Sequence, residues 1–302
     1  MTAKNRDVLK SNFSIPYVYT NAGWQEYVYP EIKRISRLVF SGDWVMGTSN
    51  ESGQNAVDEA QADALAKAMR SYYFKDYGNT WFAFLNSIKV PTFRDLNDAS
   101  INFARLSSTD GPLIDLMTLM NDNIVVADKP SAVSANNDKI ATILSGATDT
   151  AAKKVAKGKL AKQVAERPDF SQVSTVRAPE LETRFADLRR FSQHDEDKQM
   201  SDYMSQYISS LSSIHSDIKA MAASNEDDAQ AMVFVQDLLS GNSQDNALQS
   251  SWIIIESQTR ALDPETKDTL DVLFKAPLQS GIASIMAKAR SQLNEEWENQ
   301  VY

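Results

Sequence analysis

Residues 200–221 read MSDYMSQYISSLSSIHSDIKAM, and their spacing decides the fold class. The apolar positions are Met200, Tyr203, Met204, Tyr207, Ile208, Leu211, Ile214, Ile218 and Met221. Each follows the last by one, three or four residues. At about 3.6 residues per turn those steps place every one of them on a single stripe, while serines and aspartates fill the other face.

Working outward, the same period recurs along most of the chain. It predicts a long helix over 58–88, with a stripe of Leu65, Ala68, Met69, Tyr72, Tyr73, Tyr77, Trp81, Phe84, Leu85 and Ile88. A helix over 24–40 uses Trp24, Val28, Ile32, Ile35, Leu38 and Val39, with Pro30 kinking it or starting a new segment. Short helices follow over 95–106 and 112–124. Pro112 suits a first turn, where no amide bond is lost. Pro179 plays the same part ahead of Leu181, Phe185, Leu188 and Phe191.

Further on, 226–239 begins with acidic residues and stops at Gly241, both favourable at those helix ends. A helix over 246–262 stops before Asp263-Pro264. Asp263, Pro264 and Glu265 start another through Phe274, and Ile282, Ile285, Met286, Ala289, Leu293 and Trp297 line a last one.

Period-2 alternation is scarce, and no Asn-Gly or Asp-Gly pair joins two β-branched runs. The expected fold is therefore all-α: an elongated multi-helix bundle of two helical subdomains, 1–126 and 176–302. Residues 127–175 are rich in Ala, Ser, Lys, Thr and Asn, with Phe170 the sole aromatic. They read as a linker or mobile insertion.

Composition excludes several classes. The net charge of −9 argues against nucleic acid, which needs a concentrated basic face, and against an anionic lipid surface. There is no cysteine, hence no disulfide, thiolate zinc site or cysteine nucleophile. That absence also suits a bacterial periplasm. No run reaches the ~18 apolar residues of a membrane span. The opening MTAKNRDVLK lacks the apolar core of a signal peptide.

Candidate chemistry is sparse. Of two histidines, His194 stands beside Asp195, Glu196 and Asp197. Adjacent residues point apart, so this reads as an acidic helix start and not as a metal centre. His215 flanks the stripe of 200–221 with no orienting carboxylate in view. No phosphate-binding loop, nucleophile elbow or H-E-x-x-H pair occurs; Gly146 and Gly158 complete no such motif. Asp76 falls near the apolar stripe of its helix, where a buried carboxylate needs a partner, so it reads as a cap or a tyrosine partner and not as a base. Asp43 reads as a turn residue. Lys153, Lys154, Lys157, Lys159 and Lys162 read as a solvated helix face. Of Tyr17, Tyr19, Trp24, Tyr27 and Tyr29, most are expected in the core and some against a partner. No catalytic, cofactor-binding or metal residue is assigned, and no cofactor is expected.

Three stretches carry a family resemblance. Residues 13–47 read FSIPYVYTNAGWQEYVYPEIKRISRLVFSGDWVMG: a Pro-containing lead, a Thr-Asn-x-Gly turn, a helix with Trp24, then Asp43-Trp44-Val45-x-Gly47. Residues 73–123 contain Asp76-Tyr77, Trp81, Phe84-Leu85, Leu106-Ser107 and Pro112-Leu113. The end reads Leu293-Asn294-x-x-Trp297-x-x-Gln300-Val301-Tyr302. This pattern resembles the periplasmic region of the IcmF/TssM family, the inner-membrane scaffold of type VI secretion systems. It covers 13–123 well and 170–302 more loosely. Asp110-Gly111 precedes Pro112 where the family often has Ser.

The resemblance implies a non-enzymatic scaffold with membrane anchors upstream. Its implied partners are the outer-membrane lipoprotein TssJ, the protein TssL and other TssM copies. In the family the final segment leads into a β-rich domain that supplies much of the lipoprotein contact. This chain by itself is therefore expected to bind the lipoprotein weakly or not at all. An all-α enzyme with a site between helices, or an unrelated helical adaptor, are the alternative readings.

Overall fold

In the computed structural model, the described residues are 5, 7–40, 55–126, 178–192, 200–224, 226–240 and 246–301. Among them no strand is present, and a lone antiparallel bridge joins Lys10 to Lys89. The principal helices are α1 (Tyr29–Phe40), α2 (Asn55–Ser87), α3 (Leu96–Leu106), α4 (Pro112–Ile124), α5 (Pro179–Arg184), α6 (Ala186–Ser192), α7 (Asp202–Ala223), α8 (Asp227–Ser240), α9 (Ala247–Thr259) and α10 (Pro264–Val301). The all-α expectation holds. The expected linker 127–175 lies outside the described residues.

The chain forms two compact units. One comprises Met1–Tyr19, Ser71–Ile124 and Pro179–Tyr302; the other comprises Thr20–Arg70 and Val125–Ala178.

In the first unit α7 is the central element, packed against α3 on one side and α9 on another. Its buried residues are Met204, Tyr207, Ile208, Leu211, Ile214, Ile218 and Met221, the stripe read from the spacing. Ser201 caps it: its Oγ accepts the Met204 amide at 3.1 Å and donates to the Phe191 carbonyl. Asp95 caps α3 by accepting the Asp98 amide at 2.8 Å. Leu181, Phe185, Leu188 and Phe191 are all buried, as expected of the segment after Pro179. Phe185 stacks on Phe82 with centroids 4.7 Å apart.

An arginine ties three helices together in this unit. Arg184 of α5 forms two bonds to Glu265 of α10, Nε to Oε2 at 3.0 Å and Nη2 to Oε1 at 2.6 Å. Its guanidinium lies over the Phe82 ring of α2, 5.0 Å from the centroid, and Nη1 donates to the Lys75 carbonyl at 3.3 Å. It crosses α2 at Gly78, where a Cβ would stand 2.5 Å from Nη1.

The C-terminal segment departs from expectation. Residues 264–301 form one continuous helix of 38 residues, with Pro277 inside it, and not two helices. Proline removes one rung of the ladder but does not by itself end a helix that packing holds. Here Leu270, Leu273, Phe274 and Leu278 are buried on both sides of it. Gly281 lets α10 approach α3: a Cβ there would lie 2.8 Å from the Phe103 ring.

In the second unit Thr20 accepts the Gly23 amide at 3.0 Å and starts a helical turn. A π-turn over Trp24–Val28 follows, closed by the Tyr29 amide on the Trp24 carbonyl. The wider turn makes room for the Pro30 ring, which would otherwise meet the carbonyl four residues back. Trp24 and Tyr29 are buried with rings 5.4 Å apart, and Arg70 lies over both, at 5.6 and 5.8 Å. The buried face of α1 is Tyr29, Ile32 and Ser36. Leu38 and Val39, expected on the stripe, are exposed because that face is turned by one position.

Candidate partner-binding surface

The segment Val8–Tyr19 is fastened along the C-terminal half of α2, within the first unit. Val8 and Leu9 are buried. Lys10 and Lys89 exchange backbone bonds of 2.9 and 2.8 Å, and the Ser11 and Ser87 hydroxyls meet at 2.6 Å. At the other end α2 supplies side-chain donors. The Tyr73 hydroxyl donates to the Val18 carbonyl at 2.5 Å, and the Trp81 indole N–H to the Tyr19 carbonyl at 2.9 Å. The Tyr19 ring stacks on Tyr73 with centroids 5.9 Å apart. Tyr77 donates to the Asn123 carbonyl at 2.6 Å, fixing the end of α4. Burial, reinforced for Tyr73 by its tyrosine neighbours, pushes the phenols of Tyr73 and Tyr77 well above their usual range. They therefore stay protonated as donors.

The result is a strap held largely by main-chain atoms, with an outer row left in solvent. Phe13 is 37% exposed, Tyr17 49% and Val18 42%, with Ser14 and Pro16 also exposed. Aromatic and aliphatic groups on an immobilised backbone suit protein contact, since little conformational freedom remains to be lost on binding.

The stripe predicted for 58–88 loses Ala68 and Tyr72, both exposed, and gains Phe74 and Phe82. Tyr72 is 75% exposed, while Phe74 and Phe82, absent from the predicted stripe, are buried. The inward face centres on Tyr77, Trp81 and Leu85, and Tyr72 falls outside it. Asp76 is likewise exposed, so it is not a buried carboxylate in need of a partner; its carbonyl accepts the Thr80 hydroxyl at 2.8 Å. Of the early aromatics, Trp24 and Tyr29 are buried and Tyr19 half-buried, whereas Tyr17 and Tyr27 face solvent.

His215 joins α7 to α3: its Nδ1–H donates to the Ser100 carbonyl at 2.9 Å, with the Ser100 hydroxyl 3.3 Å away. That bond serves packing. His194, Asp195, Glu196 and Asp197, the lysines 153–162, and Asp43 with Trp44 lie outside the described residues. Among the described residues no group of three His, Asp or Glu could hold a metal ion. No described helix is long and apolar enough to cross a membrane.

Residues 2–125 match the model of a family described as IcmF-related, intracellular multiplication and human macrophage-killing. The strap, α2, α3 and α4 all fall inside that match. This stretch of the chain is similar to that family. The resemblance read from residues 13–123 is thereby shown. The matched stretch also supplies the whole of the exposed row at 13–18.

The fold of the chain is similar to that of a chain in a solved type VI secretion system membrane core complex. The TM-score is 0.62 at 18% identity, over 99% of this chain and 47% of that one. A solved type VI membrane complex is similar more loosely, with TM-score 0.46 and 19% identity over 86% of this chain and 41% of that one. The chain thus spans about half the length of that first solved chain. No curated protein matches it in sequence.

Proposed function

We propose that this chain is a scaffold segment of a type VI secretion system membrane complex, standing in the periplasm and acting through protein contacts, without chemistry of its own. The observation that carries this reading is the IcmF-related match over 2–125, which falls on the strapped module. The likeness of fold to a chain of a type VI membrane core complex supports it. So does the apolar row Phe13–Val18, presented on a backbone pinned by Tyr73 and Trp81. By resemblance the partners are the lipoprotein TssJ, TssL and further TssM copies.

The chain has no cysteine, so one introduced at exposed Asn12 is a unique label within it. Asn12→Cys in the full-length protein should react with a membrane-impermeant maleimide once the outer membrane is permeabilised. Phe13→Asp should reduce co-purification of the membrane complex and secretion of its substrates while leaving the melting temperature of the purified chain unchanged. Labelling only after the inner membrane is broken would contradict the location, and undisturbed assembly in Phe13→Asp would contradict the role of the strap.

A further inference from the structure

The groove between α8 and α10 has an unusual composition for a surface. Along α10, Ala283, Met286, Ala287 and Arg290 follow one another at helical spacing, and all four are exposed. Met232 and Val235 of α8 line the facing wall, and between the two helices lies an open cleft of about 400 Å³. The outer positions are left in water: Met286 is 50% exposed, and Leu239, one turn beyond Val235 on α8, is 79% exposed. Ala289, which is buried, also lines the cleft. At one end Lys288 reaches Asp227 and Asp228, 3.0 Å from each, and fixes the two helices in register.

Arg290 supplies the polar signal. It is exposed, lies at the edge of this apolar cleft, and makes no ion pair or hydrogen bond among the described residues. Its neighbour Lys288 is already committed to two carboxylates.

We propose that this groove receives an amphipathic helix of a partner protein, with apolar residues at helical spacing and one Asp or Glu placed to meet Arg290. Each part follows from the chemistry of the walls. Two neighbouring helices leave a channel that a third helix fills, ridges into grooves. Alanines 283 and 287 allow close approach, and the methionines adapt to the side chains that enter. The guanidinium selects a carboxylate and sets the register of the incoming helix. A second copy of this chain docking symmetrically on the same stripe would bring Arg290 towards its own counterpart, so the charge favours a different partner. The inference stands on the groove alone and does not rest on the secretion-complex reading.

The test uses the whole chain and a fluorescein-labelled model peptide of about 18 residues, long enough to form a helix on binding. One version carries leucines on one face and a single Glu at its edge. A second has Lys for that Glu, and a third has the leucines dispersed around the helix. Fluorescence anisotropy should give saturable binding of the Glu peptide in the micromolar range, about ten-fold weaker binding of the Lys peptide, and none of the dispersed one. Arg290→Glu should reverse the preference between Glu and Lys peptides, and Met286→Glu should abolish binding. Both residues are exposed, and unchanged circular dichroism would show that the fold survives. Absence of saturable binding, or binding indifferent to both substitutions, would overturn the proposal. So would sedimentation showing a dimer that Met286→Glu converts to monomer, since the occupant would then be a second copy.

Discussion

The Tyr207 hydroxyl donates to the Phe274 carbonyl at 2.8 Å, and the two rings meet edge to face with centroids 4.8 Å apart. Both residues are buried. Three residues beyond Phe274 stands Pro277, which has no N–H to offer the carbonyl of Leu273. The next carbonyl along takes the phenol of α7. The hydrogen bond and the ring contact therefore tie the central helix to α10 where its own ladder is weakest.

Tyr207→Phe keeps the ring and removes the donor. It should cost about 1 kcal/mol, the usual worth of a buried hydrogen bond, seen as a lower urea midpoint with an unchanged slope. A variant as stable as the parent would show that α10 needs no support beside Pro277.

Alkaline pH should unfold the protein through its tyrosines. Burial raises the phenols of Tyr73, Tyr77 and Tyr207 well above their ordinary value. In the unfolded chain they ionise near about 10. As pH rises past that value, the unfolded state releases protons that the folded state retains. Stability that is complete below about 10 is then lost above it, at up to about 1.4 kcal/mol per pH unit for each group. Tyrosinate absorbance of these groups should appear together with loss of the helical circular dichroism signal. Their ionisation with the signal intact would contradict the burial.

Gly281→Ala places a methyl group 2.8 Å from the Phe103 ring. That ring is buried and packed edge-on against Phe93, 5.5 Å away, so it has little room to retreat. Overpacking of this kind costs about 1–3 kcal/mol, more than alanine gains as a helix former. Thermal melting should register a drop; a rise would mean that α10 shifts freely on α3.

Arg184→Lys retains the charge and loses the fork. The bidentate pair with Glu265, the stacking on Phe82 and the bond to the Lys75 carbonyl go together. A double-mutant cycle with Glu265→Gln should give a coupling of about 1 kcal/mol, because the pair is only partly shielded from solvent. Zero coupling would leave the arginine its stacking on Phe82 and its bond to the Lys75 carbonyl.

The strap can be released without unfolding the unit. Tyr73→Phe with Trp81→Phe removes the donors to the Val18 and Tyr19 carbonyls and keeps aromatic bulk. Amide exchange over residues 9–19 should accelerate about ten-fold or more, while α3 and α7 keep their protection. Equal acceleration everywhere would mean that the strap and the helices open as one.

The helical class was plain from the spacing at 200–221, because seven of those nine apolar side chains end up buried in one face. The continuity of α10 was not plain. Pro277 signals a break, and what overrules it is tertiary: buried Phe274 and Leu278 on either side, which no local pattern reveals. The Arg184–Glu265 pair is separated by 81 positions and leaves no periodic trace. The strap was legible only as an odd aromatic lead with a family likeness. Its fastening depends on carbonyl oxygens at Val18 and Tyr19, which every residue type possesses equally.

That last point bears on how such a surface can change over generations. Because α2 grips the peptide oxygens, substitutions at Phe13 or Tyr17 leave the grip untouched. Lineages can rewrite the outward letters of this segment to follow a changing neighbour, and the fold beneath need not be renegotiated.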